Sequence, residues 1–212
     1  MDVVIAGGHG KIALQLAELL ASRGDRARGL IRNPDHAGDL EAIGAEAVLC
    51  DMEAEDDISR FVEGADAVVF AAGAGPGSGP ERKRTVDFGG AVKLIEAAKA
   101  TGARRYLMVS SIGAGDPEGG SEQMRPYLQA KHDADVALEG AGLDHTIIRP
   151  GMLTDDPARG TVLIGPDEER DQVPRADVAA VLAACLQADN TIGKTFVVVQ
   201  GDTPVEEAVA AI

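Results

Sequence analysis

A tyrosine and a lysine four residues apart are the clearest chemical pair in this chain. Tyr127 and Lys131 lie on a predicted helix over residues 124–139, where a spacing of four puts both side chains on one face. A cation beside a phenol favours its ionised form, so the pair could donate a proton to a carbonyl oxygen as hydride reaches the carbon. Ser110 and Ser111 end the preceding predicted strand and could hydrogen-bond the same oxygen. Tyr-x-x-x-Lys also occurs by chance on amphipathic helices, so the surrounding elements decide its meaning.

A glycine-rich turn near the N-terminus is the second chemical feature. A short apolar run over residues 3–6 predicts a buried strand, Gly7 closes it, and a predicted helix covers residues 11–23. The free N–H groups of such a helix start bind anions, and Gly10 would let a pyrophosphate approach the backbone. The spacing is G-x-x-G-x-x-A, which alone indicates a nucleotide only weakly. A second predicted strand at 27–31, at the usual βαβ distance, strengthens that interpretation.

The residue that follows the second predicted strand favours NADP over NAD. NAD-binding sheets usually carry Asp or Glu there to hold the ribose 2′-hydroxyl, whereas this chain has Arg32 followed by Asn33. A guanidinium can bind a 2′-phosphate through forked hydrogen bonds, and no carboxylate follows this strand to repel it. The alternative is that Arg32 is simply one of 20 basic residues and is solvated. Asp51, after the third predicted strand, could accept a hydrogen bond from the adenine or cap the next helix.

The positioning elements alternate between strand and helix, which predicts an α/β fold: a Rossmann-type doubly wound parallel sheet with helices on both faces. The predicted strands cover residues 3–6, 27–31, 47–50, 67–71, 106–110, 146–148, 161–164 and 195–199. The predicted helices cover residues 11–23, 55–62, 81–101, 124–139, 176–187 and 205–212.

One domain is expected over residues 1–212, because no linker or internal repeat divides the chain. Residues 151–174 are its least regular stretch and are predicted to form a small substrate cap over the carboxyl edge of the sheet. The acidic run at 167–171 is interpreted as a solvated loop. The glycine- and proline-rich residues 72–80 suit either a loop that closes over a ligand or a plain surface linker.

Composition excludes several classes of partner. The formal net charge of −15 argues against nucleic acid and against an anionic membrane surface, and no apolar run approaches the length of a membrane span. Two cysteines at no metal or redox spacing, and an N-terminus without a signal peptide, predict buried thiols in a reducing cytoplasm. The four histidines are scattered, so no metal site is expected.

The chain resembles the short-chain dehydrogenase/reductase superfamily, in its small atypical NAD(P)H-binding branch. The residues that carry the resemblance run in consistent order from end to end: Gly7 to Ala13, Asp51, Ala71 to Gly73, Val109 to Ser111, Tyr127 to Lys131, Ile148 to Gly151 and Arg175 to Ala179. The chain departs from the pattern in having Ala13 for the third glycine and a short C-terminal substrate region.

The resemblance implies a Rossmann fold with seven or so strands and one bound NAD(P). It also implies a catalytic triad of Ser111, Tyr127 and Lys131, with Lys131 touching the nicotinamide ribose as well. Pro150 and Gly151 would form a close wall for the nicotinamide ring. The resemblance and the residues at the strand ends together give a predicted cofactor-binding set. Its members are Gly7, Gly8, His9, Gly10, Lys11, Ile12, Arg32, Asn33, Asp51, Met52, Ala71, Ala72, Gly73, Val109, Ser110, Lys131, Pro150 and Gly151.

Three functions remain open at this point. The favoured one is an NADP-dependent oxidoreductase that transfers hydride to or from a small carbonyl, quinone or flavin-like substrate. The second is an NADP(H)-binding redox sensor without turnover. The third is an enzyme similar to NAD(P)-dependent sugar-nucleotide epimerases, which oxidises its substrate only transiently. The sensor would report redox state to a partner protein. We expect a small-molecule substrate, no nucleic-acid or membrane partner, and a monomer or homodimer.

Overall fold

Short apolar strands form the centre of the molecule. The computed structural model describes residues 1–75, 77–167 and 171–212. Its strands are β1 (Asp2–Ala6), β2 (Arg26–Ile31), β3 (Glu46–Leu49), β4 (Ala67–Phe70), β5 (Arg105–Val109), β6 (Asp144–Pro150), β7 (Met152–Thr154), β8 (Thr161–Gly165), β9 (Gln172–Pro174), β10 (Lys194–Gln200) and β11 (Thr203–Pro204). Nine of them form one sheet in the order β11-β8-β10-β6-β5-β4-β1-β2-β3, and β7 pairs with β9 in a separate ribbon.

The direction of the strands is parallel from β3 across to β10 and reverses at the far edge. There β8 runs antiparallel to β10, with Val198 opposite Ile164, and β11 runs antiparallel to β8. The predicted parallel sheet is therefore confirmed, with an antiparallel edge formed by β8 and β11 that the sequence did not predict. A short apolar run such as residues 161–164 predicts a strand but does not reveal the direction in which it will pair.

The main helices are close to those expected. They are α1 (Lys11–Ser22), α2 (Ala37–Ala42), α3 (Pro80–Arg82), α4 (Ala91–Thr101), α5 (Arg125–Glu139), α6 (Arg175–Cys185) and α7 (Val205–Ala210). A π-helical segment, Lys83–Gly90, joins α3 to α4. A π-helical widening within a helix is rare and often accompanies a functional residue.

Two local predictions were wrong. Residues 55–62 form only a 3-10 turn at Ser59–Phe61, and α2 was not expected. The ammonium of Lys93 explains the first difference, because it binds the backbone carbonyls of Met52 and Glu55 and holds the chain after β3 in an irregular path.

Side chains of β1 point alternately to two hydrophobic cores, one on each face of the sheet. Val3 and Ile5 of β1 pack in a core with residues of α1, α6 and α7. Val4 and Ala6 pack in a second core with residues of α4 and α5. This alternation confirms the predicted α/β fold, in which a doubly wound sheet carries helices on both faces.

The stretch from 151 to 174 is more regular than the sequence suggested. Met152–Thr154 and Gln172–Pro174 pair in parallel, and Thr161–Gly165 extends the main sheet. The substrate cap stays a prediction, and any such cap would exclude residues 161–165, which belong to the sheet. The acidic run at 167–171 includes residues 168–170, which lie outside the described part of the chain.

Within the described ranges, no helix is both long and apolar enough to cross a membrane.

Candidate functional site

The turn between β1 and α1 needs glycine for internal packing. Gly7 has a φ of +79°, and a Cβ there would stand 2.6 Å from the Cα of Ala72. A Cβ on Gly8 would stand 2.6 Å from the Cα of Gly29 in β2. The N–H of Gly10 closes the turn by donating to the carbonyl of Gly7 at 2.7 Å. The N–H of Gly8 is also used inside the protein, where it donates to the carbonyl of Leu30 at 2.9 Å. The N–H groups left for a ligand are therefore those of the first turn of α1.

The start of α1 suits an anion. Gly10 provides no side-chain cap, and the first turn of the helix carries no acidic residue. The helix dipole and its N–H groups therefore remain available to a phosphate. Lys11 points away and pairs with Asp155, while Ile12 is buried beneath the turn.

A cavity of about 350 Å³ opens beside this turn, along the carboxyl ends of β1 to β4. Nine of the predicted cofactor residues line it: Gly7, His9, Gly10, Arg32, Asp51, Met52, Ala71, Ala72 and Gly73. Other lining residues were not predicted, among them His36, Glu53, Arg82 and Thr85. Gly8, Lys11, Ile12 and Asn33 lie in the same region but outside the lining, and Asn33 caps the turn after β2 by accepting from the N–H of Asp35.

Arg32 lines the cavity as expected, but a carboxylate lies against it. Glu53 Oε2 accepts from Arg32 Nη1 at 3.2 Å and from Arg82 Nη2 at 3.2 Å. Glu53 Oε1 accepts from the hydroxyl of Thr85 at 3.0 Å. The inference that Arg32 has no carboxylate neighbour is therefore wrong, because Glu53 arrives from the loop after β3.

Asp51 is used locally as well as lining the cavity. Its Oδ1 accepts from the N–H of Glu53 at 3.0 Å. Asp51 therefore caps a backbone turn, as the alternative role predicted, although the turn is not followed by the expected helix. The backbone carbonyl of Asp51 also closes the turn by accepting from the N–H groups of Ala54 and Glu55.

Two histidines stack at the other rim of the cavity. The rings of His9 and His36 are nearly parallel, at an interplanar angle of 12°, with centroids 3.6 Å apart. His9 Nε2 is 2.7 Å from a carboxylate oxygen of Asp39 in α2. The stack ties the glycine turn to the residues after β2.

Lys131 is held by groups from three elements. Its ammonium donates to the carbonyl of Val109 at 3.1 Å and to that of Ala72 at 3.5 Å. It also lies 3.4 Å from the carboxylate of Asp87, in the π-helical segment. Lys131 and Asp87 are both buried. Ala72 lines the nucleotide-sized cavity, so Lys131 contacts the cavity wall, although it is not itself a lining residue.

Tyr127 lies one turn before Lys131 on α5, as the spacing predicted. The ammonium of Lys131 lies 6.0 Å from the centroid of the Tyr127 ring, and the ammonium of Lys83 lies 5.8 Å from the same point. Ser111 directly precedes the 3-10 turn Ile112–Gly115, which packs against α5. The structure therefore places Ser111 just after β5, and Tyr127 and Lys131 in the first two turns of α5.

Ser110 faces the protein interior instead of the cavity. Its hydroxyl donates to Asp135 Oδ2 at 2.9 Å, and Arg149 Nε donates to the same oxygen at 3.0 Å. Burial raises the pKa of Asp135, while Ser110, Arg149 and Lys131 act in the opposite direction. Asp135 Oδ1 has no hydrogen-bond partner among the residues that the structure describes.

Pro150 and Gly151, which were predicted to form a wall for the nicotinamide ring, pack against other parts of the protein. Pro150 is buried, and a Cβ on Gly151 would clash with the backbone oxygen of Asp171. Gly151 is therefore explained by the close approach of another chain segment.

Sequence reasoning missed Asp87 and Asp135, although a signal was present. Asp87 precedes Ala91 by four residues and Leu94 by seven, so an acid stands on the apolar face of its helix. Asp135 follows Lys131 by four residues on the inner face of α5. Acids at buried helical positions need partners, and each has a cation nearby.

Taken together, the site fits a dinucleotide. The uncapped helix start and glycine turn suit a diphosphate, the cavity beside Arg32 suits an adenosine, and Lys131 is buried against Ala72 in the cavity wall. Within residues 1–75, 77–167 and 171–212, no cluster of three or more His, Cys, Asp or Glu could hold a metal.

Comparison with known proteins agrees with this geometry. Residues 7–189 match the NAD(P)H-binding family. A Bacillus subtilis protein described as "uncharacterized sugar epimerase YhfK" is 41% identical over 210 residues, which covers 98% of each chain. A Bacillus halodurans structure, provisionally assigned to the NAD-dependent epimerases/dehydratases, is 39% identical, covers 100% of both chains and has a TM-score of 0.96. The oxidoreductase ylbE from Lactococcus lactis is 27% identical with a TM-score of 0.89, covering 100% of this chain and 96% of that one. The chain therefore belongs to the NAD(P)H-binding family and is an atypical member of the short-chain dehydrogenases/reductases.

Proposed function

We propose that this protein is an NADP-dependent oxidoreductase that transfers hydride to or from a small carbonyl, quinone or flavin-like substrate. The observation that carries the proposal is the position of Lys131. Its ammonium lies 3.5 Å from the carbonyl of Ala72, a residue that lines the nucleotide-sized cavity. Lys131 thus contacts the wall of the cavity in which, by this proposal, the dinucleotide binds.

The residues at the outer end bind and orient the cofactor in this proposal. The backbone at Gly7 to Gly10 and the start of α1 hold the diphosphate. Arg32 holds the 2′-phosphate through charge-assisted hydrogen bonds, which favours NADP over NAD. Asp51 and Met52 border the adenine. The bound dinucleotide supplies or accepts the hydride.

The residues at the inner end handle the proton. Tyr127 donates the phenolic proton to the substrate oxygen as that oxygen gains negative charge, which converts a carbonyl to an alcohol, and the phenolate regains a proton from solvent. Ser111 donates a hydrogen bond to the same oxygen. The ammonium of Lys131 stabilises the phenolate, and Asp87 fixes the position of that ammonium.

A second candidate function rests on the relatives. The 41% identical protein from Bacillus subtilis is described as a sugar epimerase. An epimerase would use the same tyrosine to remove and return a proton while its cofactor stays bound and shows no net oxidation. We place it second because residues 151–174, which would have to recognise a large sugar nucleotide, contribute five of their residues to the main sheet.

Turnover assays distinguish these functions. NADPH oxidation is measured with aldehydes, ketones, quinones and flavins, and epimer interconversion of sugar nucleotides is followed by NMR without added reductant. We expect oxidation of NADPH, and we expect Tyr127→Phe to reduce its rate by about 100-fold while calorimetry shows unchanged NADPH binding. An equal rate in that variant would remove Tyr127 as the proton donor. Tight binding with no turnover of any substrate would favour a redox sensor.

The wider context of the protein remains part of this proposal. We expect a small-molecule substrate, a cytoplasmic location and a monomer or homodimer. Cys50 and Cys185 are free and buried, which suits a reducing compartment.

A further inference from the structure

Three donors from two separate parts of the chain converge on one carboxylate at the rim of the cavity. Glu53 accepts from Arg32, Arg82 and Thr85 at 3.2, 3.2 and 3.0 Å. Arg32 follows β2, Glu53 lies after β3, and Arg82 and Thr85 lie at the start of the helix after β4. All four line the same cavity. Convergent donors of this kind form a site for an anion, and here the anion is a side chain of the protein itself.

The Glu53 carboxylate can separate from the two guanidinium groups without disturbing the fold. The side chain of Glu53 is 33% exposed, and those of its arginine partners are 56% and 41% exposed. The backbone beneath it is held independently, by Asp51 and by the ammonium of Lys93. Solvent-exposed ion pairs contribute little to stability, so another anion can compete for the two guanidinium groups.

We infer that Glu53 is a specificity-determining residue, an internal anion that occupies the position a 2′-phosphate must take. The inference rests on the proposed function, because it assumes that a dinucleotide binds in this cavity. A 2′-phosphate displaces the Glu53 carboxylate from the guanidinium groups and then experiences repulsion from it. An unphosphorylated ribose leaves the ion pairs intact and donates its hydroxyls to the carboxylate. Glu53 therefore lowers the preference for NADP that Arg32 creates.

Fragments of the cofactor test this residue without any turnover. Adenosine 2′,5′-bisphosphate and adenosine 5′-monophosphate differ only in the 2′-phosphate, and their dissociation constants are measured by calorimetry on the full chain. The variant is Glu53→Gln, which keeps the shape and removes the charge. The matched control is Glu55→Gln, two residues further on, whose carboxylate pairs with Arg60.

Removing the charge is expected to strengthen binding of the bisphosphate about tenfold, because one nearby like charge costs about 1.4 kcal/mol. Binding of the monophosphate should stay equal or weaken, and Glu55→Gln should change neither constant by more than about twofold. Raising the ionic strength should reduce the gain, since the effect is electrostatic.

The two proposals fail in different ways. If both fragments bind and Glu53→Gln leaves their affinity ratio unchanged, the role of Glu53 is wrong while the cofactor site stands. If neither fragment binds the wild-type chain, both the cofactor site and the role of Glu53 are refuted.

Discussion

Lys131 and Asp87 form an ion pair at 3.4 Å in which the two side chains are only 4% and 1% exposed. Asp87 Oδ2 also accepts from the N–H of Ala74 at 3.1 Å. One carboxylate thus joins the π-helical segment, the loop after β4 and the lysine of α5. Because a buried charge without its partner is costly, each member of the pair depends on the other.

Breaking this pair should destabilise the fold more than removing it entirely. Asp87→Ala and Lys131→Met are each expected to lower the free energy of unfolding by about 3 kcal/mol, since each leaves an uncompensated buried charge. The double variant should cost less than either single variant, which urea denaturation measures. Glu96→Ala, which breaks the exposed pair with Lys99, serves as a control with an effect below about 1 kcal/mol. Additive costs would show that the two charges are not coupled.

The glycine turn offers a contrasting pair of substitutions. Gly8→Ala places a Cβ 2.6 Å from the backbone of Gly29, so it should cost about 2 kcal/mol or more of stability. Gly38→Ala meets no atom within 4 Å and lies in α2, where alanine is favoured, so it should gain about 0.5 kcal/mol. Thermal melting compares them. Equal melting temperatures would mean that β2 moves to accept the extra methyl group.

Local features of this site were predictable from the sequence. The strand, glycine turn and helix at the N-terminus are contiguous, so composition and spacing were sufficient to predict them. Arg32, Asp51 and Ala71 to Gly73 were predictable because ligands bind beyond the carboxyl ends of parallel strands. The fold class and the family are confirmed, whereas NADP preference, the substrate cap and the catalytic roles stay predictions.

Contacts between distant segments were not predictable. Glu53 contacts Arg32 only because β3 lies beside β2 in the sheet. Arg82, which contacts the same carboxylate, comes from the helix that follows β4. The π-helical segment has no sequence signature in this chain, yet it carries Asp87. The reversed direction of β8 depends on how residues 151–160 turn back, which an apolar run cannot specify.

Burial of Asp135 should make stability depend on pH. Burial raises its pKa above the ordinary value of 3.8, so the folded chain holds the proton more tightly than the unfolded chain. The stabilisation of the fold by this proton is fully present below pH 3.8 and is lost as the pH rises through the pKa of Asp135 in the folded chain. Relative to wild type, Asp135→Asn should therefore gain stability as the pH rises from 3.8, in urea denaturation at several pH values. A constant difference between the two proteins would contradict it.

The two cysteines provide an internal probe of the cavity. Burial raises the pKa of Cys50 to about 11 and that of Cys185 to about 12, so both should react slowly with alkylating reagents at neutral pH. Cys50 lines the cavity and Cys185 does not. NADPH should therefore slow modification of Cys50 more than that of Cys185, as mass spectrometry resolves. Equal protection would indicate only general stabilisation of the fold.

Asp155 links the start of α1 to the start of α6, and its removal should improve binding of both cofactors. Its carboxylate pairs with Lys11 and with Arg175, and these partners keep its pKa low. Asp155→Asn removes a negative charge from the neighbourhood of the diphosphate site and frees Lys11 to reach it. Because NADPH and NADH share the diphosphate, both affinities should rise by the same factor, roughly two- to fivefold at low salt. Asp156→Asn is the neighbouring control. A gain for NADPH alone would instead place Asp155 near the 2′-phosphate, and no gain would mean that Lys11 does not contact the cofactor.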